Sequence, residues 1–221
     1  MNMQNYLAKR VQLCAVCLSF VVLLLLGCNL ISAKELSLPV TSAQIMGTYT
    51  HDSILEKSAL SILPEYQKQA VRFTEQETRI PVKGDHFGVD KVNTDIAYVE
   101  VGRFNIENNL YKIIVYNRIG EADTPLFNTQ LNSYDSDGTL IDALLLDSRF
   151  SYEEFKRFSE FRVDRTTIEI DGFVIYTHAI VDGGEIGEPL ASPTPQEFSK
   201  SVYQIDDGYF KLLSHTEMPH Q

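Results

Sequence analysis

Three Asp-Gly dipeptides, Asp137-Gly138, Asp171-Gly172 and Asp207-Gly208, each sit between runs rich in Val, Ile, Leu, Tyr and Phe. Asp-Gly tolerates the positive φ angles that a tight hairpin requires. Apolar runs repeated around such turns read as antiparallel strands laid side by side. Residues 94–104 and 110–117 carry apolar side chains on both parities, the pattern of strands covered on both faces. Phe127, Thr129 and Leu131 alternate with Asn128, Gln130 and Asn132, which predicts a half-exposed strand. Residues 139–146 form another apolar run, and Ile168 and Ile170 alternate with Thr167, Glu169 and Asp171. Residues 173–181, 202–206 and 209–215 complete the set.

Helix signals are fewer. Ser53-Ile54-Leu55-Glu56 is a capping box, with Leu55, Ala59 and Ile62 near one face and Pro64 limiting the run. A second helix is predicted to start at Pro64 and run through Tyr66, Ala70 and Val71. A second box, Ser151-Tyr152-Glu153-Glu154, predicts a third, with Phe155 and Phe158 three apart. Residues 182–195 hold Gly183, Gly184, Gly187, Pro189, Pro193 and Pro195, and read as a long surface loop. No repeat of fixed period aligns along the chain. The expected fold class is mainly β (α+β). It is an antiparallel meander forming a curved sheet or open barrel-like sandwich, with two or three short helices.

The N-terminus carries an address. Lys9 and Arg10 precede residues 11–26, which hold no charge, and Gly27 and Cys28 follow. A basic start, a short apolar core and a small residue at its end make a secretory signal. The core is shorter than the roughly 20 apolar residues that span a bilayer. Counting on through Ile31 brings it near that limit, so an uncleaved signal anchor stays open. Leu25-Leu26-Gly27-Cys28 resembles the lipobox of bacterial lipoproteins, with Leu26 less usual at its position. The resemblance covers residues 1–28 only. It implies cleavage before Cys28, acyl chains on that cysteine and stable attachment to a membrane, since two or more chains anchor firmly. Asn29, where enteric members retained at the inner membrane carry Asp, implies the outer membrane, facing the periplasm. A competing reading is ordinary cleavage after Ala33 in Ile31-Ser32-Ala33, giving a soluble periplasmic or secreted protein.

Cysteine usage favours lipidation. Cys14 and Cys17 lie in the apolar core, and nothing after Cys28 is a cysteine. An exported chain with one leftover thiol has no disulfide to make. A thioether to lipid uses that sulfur. The expected division is a signal peptide at residues 1–27, a tether at 28–42 and a single β-rich domain at 43–221. Residues 28–221 number 194, enough to bury a core without metal or disulfides.

The chain has 19 basic and 30 acidic residues; losing Lys9 and Arg10 leaves 17 against 30, a net of −13. That field repels nucleic acid and anionic surfaces, and permits a basic protein partner or a cation.

No stretch carries the spacing of a known catalytic or cofactor motif. Asp135-Ser136-Asp137-Gly138 covers half of a calcium loop, but Ser133 is a weak first donor and Leu144 holds the place of the bidentate glutamate. A hairpin turn is the simpler reading. His51, His86, His178, His215 and His220 form no zinc-ligand spacing. His178 and His215 could approach each other only if their strands pair. Gly84-Asp85-His86 reads as a turn. No nucleophile elbow, phosphate loop or dinucleotide fingerprint is present. Glu100, Asp142 and Glu169 lie on strand-like runs where a cleft could gather them for hydrolysis. Tyr98, Tyr111, Tyr116, Tyr134, Tyr176 and Tyr203 could line a sugar or peptide groove, or pack a core. The sequence therefore assigns no catalytic, cofactor or metal residue, and Cys28 as the lipidation site. It favours a non-enzymatic, membrane-anchored binder of another envelope protein, of inhibitor, immunity or assembly type. An envelope hydrolase with converging carboxylates and a structural lipoprotein without a discrete ligand are the alternatives.

Overall fold

In the computed structural model of the chain, residues 33–46, 62, 64–87, 91–152, 154–181 and 185–218 are described. They begin with β1 (Lys34–Glu35), β2 (Val40–Thr41) and the single-turn helices α1 (Ser42–Met46) and α2 (Pro64–Gln67). Then come β3 (Val71–Arg72), β4 (Val82–Lys83), β5 (Ala97–Ile106), β6 (Asn109–Ile119), β7 (Pro125–Tyr134) and β8 (Leu140–Tyr152). The chain ends with β9 (Phe155–Val163), β10 (Thr167–Tyr176), β11 (His178–Ile180), β12 (Ile186–Pro189), β13 (Gln196–Asp206) and β14 (Tyr209–Glu217). The fold is mainly β, as the sequence predicts, with less helix than expected. Most of the capping-box helix at 53–62 lies outside the described residues. The helix at Pro64 is one turn, and Val71 already belongs to β3. The third is absent: Ser151 and Tyr152 end β8, Phe155 opens β9, and Phe150 and Phe158 are buried on those strands.

The large strands pair in the order β5-β6-β7-β8-β9-β10-β13-β14, every neighbour antiparallel. Short strands fill the gaps and make the sheet mixed. β1 runs parallel to β5, and β4 runs parallel to β8. β8 is the pivot. Its residues from Leu140 to Arg149 pair with β7, whereas only Phe150, Ser151 and Tyr152 pair with β9. β9 has left the plane of the first strands by then, and β4 takes the vacated edge of β8 beside Ala143 and Leu144. Gly84, at φ +113°, permits this approach, since a Cβ there would lie 2.9 Å from Leu145 O. The sheet bends over itself but does not close into a barrel.

Two apolar clusters result. The larger lies inside the bend and takes Val99, Val101, Ile113, Val115, Leu144 and Leu146 from the first strands, and Val163, Ile168, Tyr203 and Phe210 from the last. The smaller lies on the opposite face of β5, β6 and β8, where Phe73, Val82 and Val92 cover Tyr98, Ile114, Tyr116 and Leu145. Each fully buried Leu, Ile or Phe contributes about 1.5–3 kcal/mol. Apolar residues on both parities of these strands thus mean two covered faces.

Three expectations are corrected. Residues from Lys34 onward are not a tether: β1 lies beside Gly102 and Arg103, β2 lies beside Val163 and Arg162, and Val40 is fully buried. Asp171-Gly172 is no turn. It lies within β10, where the ladder to β13 shifts register, and a Cβ on Gly172 would sit 2.4 Å from Ser199 Oγ. The β9–β10 turn is closed instead by Asp164 N–H donating to Thr167 O at 2.8 Å. Residues 182–195 are not all loop, since β12 pairs with β11. Asp207 (φ 48°) and Gly208 (φ 85°) do form the two-residue hairpin, and Asp135 closes the Asp137-Gly138 turn by accepting the Thr139 amide at 2.8 Å.

Candidate functional site

The polar residues of β7 are the first surprise. Asn128, Gln130 and Asn132, the face that the alternation leaves exposed, are buried, as are Thr129 and Ser133. Burial is tolerable because these side chains find partners: Asn128 Oδ1 accepts from Ser148 Oγ (2.8 Å), Ser133 Oγ donates to Gly208 O (2.5 Å), and Gln130 and Asn132 belong to a longer row. Tyr116 Oη donates to Gln130 Oε1 (2.7 Å), Gln130 Nε2 to Asn132 Oδ1 (2.6 Å) and Asn132 Nδ2 to Tyr134 Oη (3.0 Å). Tyr134 Oη then donates to Glu77 Oε1 (2.8 Å), which Tyr98 also reaches at 3.2 Å. Thr74 N–H and Oγ1 serve Glu77 Oε2 at 2.8 and 2.9 Å. This row pins the segment carrying Thr74 and Glu77 to the sheet. It also uses three of the tyrosines that could have lined a groove. Tyr111 and Tyr203 are buried in the larger cluster, and Tyr176 is half-buried.

The three candidate carboxylates sit in separate ion pairs. Glu100 meets Arg103 (2.6 Å) and Lys112 (3.6 Å), and Glu169 meets Lys200 (3.7 Å). Asp142 is buried, 2.5 Å from Lys83 Nζ, and accepts the Phe210 amide at 2.8 Å. A fourth acid, Asp147, has no pattern around it in the sequence that marks it out. It is enclosed with Arg149 and accepts the Ser159 amide at 2.6 Å. Burial raises its carboxyl pKa, and Arg149 and that amide oppose the rise.

His51, His220 and Cys28 lie outside the described residues. His86 Nε2 lies 2.6 Å from Val82 O, and His178 Nδ1 lies 3.0 Å from Thr177 Oγ1. The strands of His178 and His215 do not pair, since β11 pairs with β12 and β14 with β13. Among the described residues no group of His, Cys, Asp and Glu could hold a metal ion, and no helix is long and apolar enough to cross a membrane.

Two surface features stand out. A small, solvent-open cleft is lined by Asp85, Phe150, Arg157, Ser159 and Phe198, among others. Arg157 bonds Asp85 (2.6 Å) and stacks over Phe198 (4.2 Å to the ring centre), so its guanidinium is already engaged inside the protein.

The second is β14. Cross-strand register puts Ser201 opposite His215, with Ser201 Oγ 2.8 Å from Nδ1, and Glu217 lies 3.7 Å from Nε2. The three residues have the composition of a hydrolytic relay, but Glu217 is 82% exposed and too distant to fix the ring, so the set is a solvated cross-strand pair. The edge itself is the more informative feature. No described strand pairs with β14 on the side away from β13. At its start Lys83 and Asp142 stand in for a strand: Phe210 N–H donates to Asp142 Oδ2 and Phe210 O accepts from Lys83 Nζ, both at 2.8 Å. Further on, Met218 N–H donates to Phe198 O, and antiparallel ladders alternate, so the amides of His215 and Glu217 point outward. Leu212 and Leu213 beside them are 54% and 58% exposed. The other end of the order is treated differently: β1 and β3 cover the outer edge of β5.

The chain matches no protein-family model, no curated protein and no solved structure.

Proposed function

We propose that this chain is a bacterial envelope lipoprotein, held at the outer membrane by acyl chains on Cys28, whose β-rich body binds another protein without catalysing a reaction. The lipobox-like residues 25–28 and the absence of any later cysteine support the anchor. The observation that supports binding is the uncovered stretch of β14, with two adjacent exposed leucines on a strand edge. Such edges pair with other chains unless they are covered or charged, and exposed apolar groups beside them add to the attraction.

A photo-crosslinking residue at position 213 of the full-length protein in living cells tests the binding, with position 75 as a control on the exposed side of another segment. A discrete adduct to a different protein from position 213 alone is expected. No adduct, or an adduct only to the chain itself, overturns the reading. Intact mass tests the anchor: loss of residues 1–27 with added acyl chains, abolished in Cys28→Ser, is expected. An unmodified chain starting at Lys34 refutes it.

A further inference from the structure

We infer that β14 takes an extended, basic segment of its partner as an added strand along residues 212–217. This rests on the protein-binding reading above and specifies its mode.

The case starts from the backbone. A strand edge offers N–H and C=O groups that an incoming strand can match, whatever its sequence. On β14 the offer is limited to one stretch. Lys83 and Asp142 consume both backbone groups of Phe210, and the ladder shifts register between Val202 and Tyr203, leaving Leu213 without a partner across it. An added strand therefore cannot run to the hairpin tip. It meets the outward amides of His215 and Glu217, and its side chains meet Leu213 and Glu217.

Charge selects the occupant. Outside the signal the chain carries 17 bases against 30 acids, so two copies repel. Acids also flank the open stretch, with Asp207 at one end and Glu217 at the other. Lys211, the base between them, is already paired with Asp206. A segment apolar in its middle and basic at its ends complements this edge better than a second copy does.

The test uses the full-length protein in detergent. The probe is a capped synthetic peptide alternating Val and Thr between terminal lysines; its counterpart has terminal glutamates. The lysine peptide is expected to bind, about tenfold more tightly than the glutamate one, and less at high salt. Hydrogen exchange at the His215 and Glu217 amides is expected to slow when it binds. His215→Pro removes an outward donor while sparing the ladder to β13, and Leu213→Lys places a charge in the path; each is expected to abolish binding. Absence of binding at millimolar peptide overturns the inference. So does binding that leaves those amides unprotected or survives His215→Pro, and so does self-association lost in Leu213→Lys. A crosslink from position 213 without amide protection keeps partner binding and removes strand addition.

Discussion

The Tyr134 hydroxyl donates to Glu77 Oε1 at 2.8 Å, joining residues 57 apart in sequence. The same carboxylate accepts from Tyr98 and from Thr74, so Glu77→Ala strands two buried phenols at once. An unmatched buried donor costs about 1–3 kcal/mol. Glu77→Ala is expected to destabilise the fold by about 2–4 kcal/mol, and Tyr134→Phe by about half as much. The urea midpoint is the measurement, read at constant m-value. An unmoved midpoint for Glu77→Ala would show that the carboxylate does not hold the segment.

Alkali provides a second test. Burial pushes the phenols of Tyr111 and Tyr116 up to about 12, and those of Tyr98 and Tyr134 still higher. The unfolded chain releases these protons near the ordinary value of 10.0, so the native state binds more protons above it. Stability is therefore full below pH 10 and falls as pH rises from 10.0 towards about 12, by up to about 1.4 kcal/mol per pH unit for each buried phenol. Phenolate absorbance is expected to rise in two stages, exposed tyrosines first and the buried set together with loss of the near-ultraviolet dichroism. A single smooth rise near pH 10 in the folded protein would contradict this.

Asp142→Ala removes the acceptor for both Lys83 and the Phe210 amide. Lys83 is partly exposed and regains water, so the cost falls mainly on the amide and is about 2–3 kcal/mol. Exchange of the Phe210 amide is expected to quicken more than that of amides in β6. Equal exchange in variant and parent would mean that water replaces the carboxylate.

Two glycines with similar backbones separate strain from crowding. Gly138 has φ +78°, and a Cβ added there would have nothing within 4 Å; Gly208 has φ +85°, and its Cβ would lie 2.5 Å from Ile141 Cδ1. Gly138→Ala is expected to cost about 1 kcal/mol from backbone alone. Gly208→Ala is expected to cost up to about 1 kcal/mol more, because the Ile141 side chain must turn aside from the new methyl. Thermal midpoints of the two variants, compared side by side, decide whether that contact matters.

The strands were legible because their signals are local. Val, Ile and Tyr on both parities of residues 110–117 announced a strand with two covered faces, and β6 has them. The row on β7 was not legible. Asn128, Gln130 and Asn132 look solvated in sequence, and Ser148 on β8, Tyr116 on β6 and Glu77, reached through Tyr134 at the end of β7, make their burial tolerable. Asp171-Gly172 misled for a related reason: its glycine serves the close approach of Ser199, which no local window contains. The edge of β14 was equally hidden. Residues 209–215 read as a strand, but whether a strand lies in the middle of a sheet or at its end depends on what the rest of the chain leaves uncovered.

The order of the large strands follows the order of synthesis from β5 to β10, so each hairpin can form once its second strand has been made. The larger cluster cannot be finished that early. It waits for Tyr203, Ile205 and Phe210, which arrive with the last hairpin, and for Asp142 to catch the Phe210 amide. Until then the nascent chain holds an open bowl of aliphatic side chains with no lid. The C-terminal hairpin is thus the step that covers the bowl, and a chain cut short before Tyr203 would keep it open.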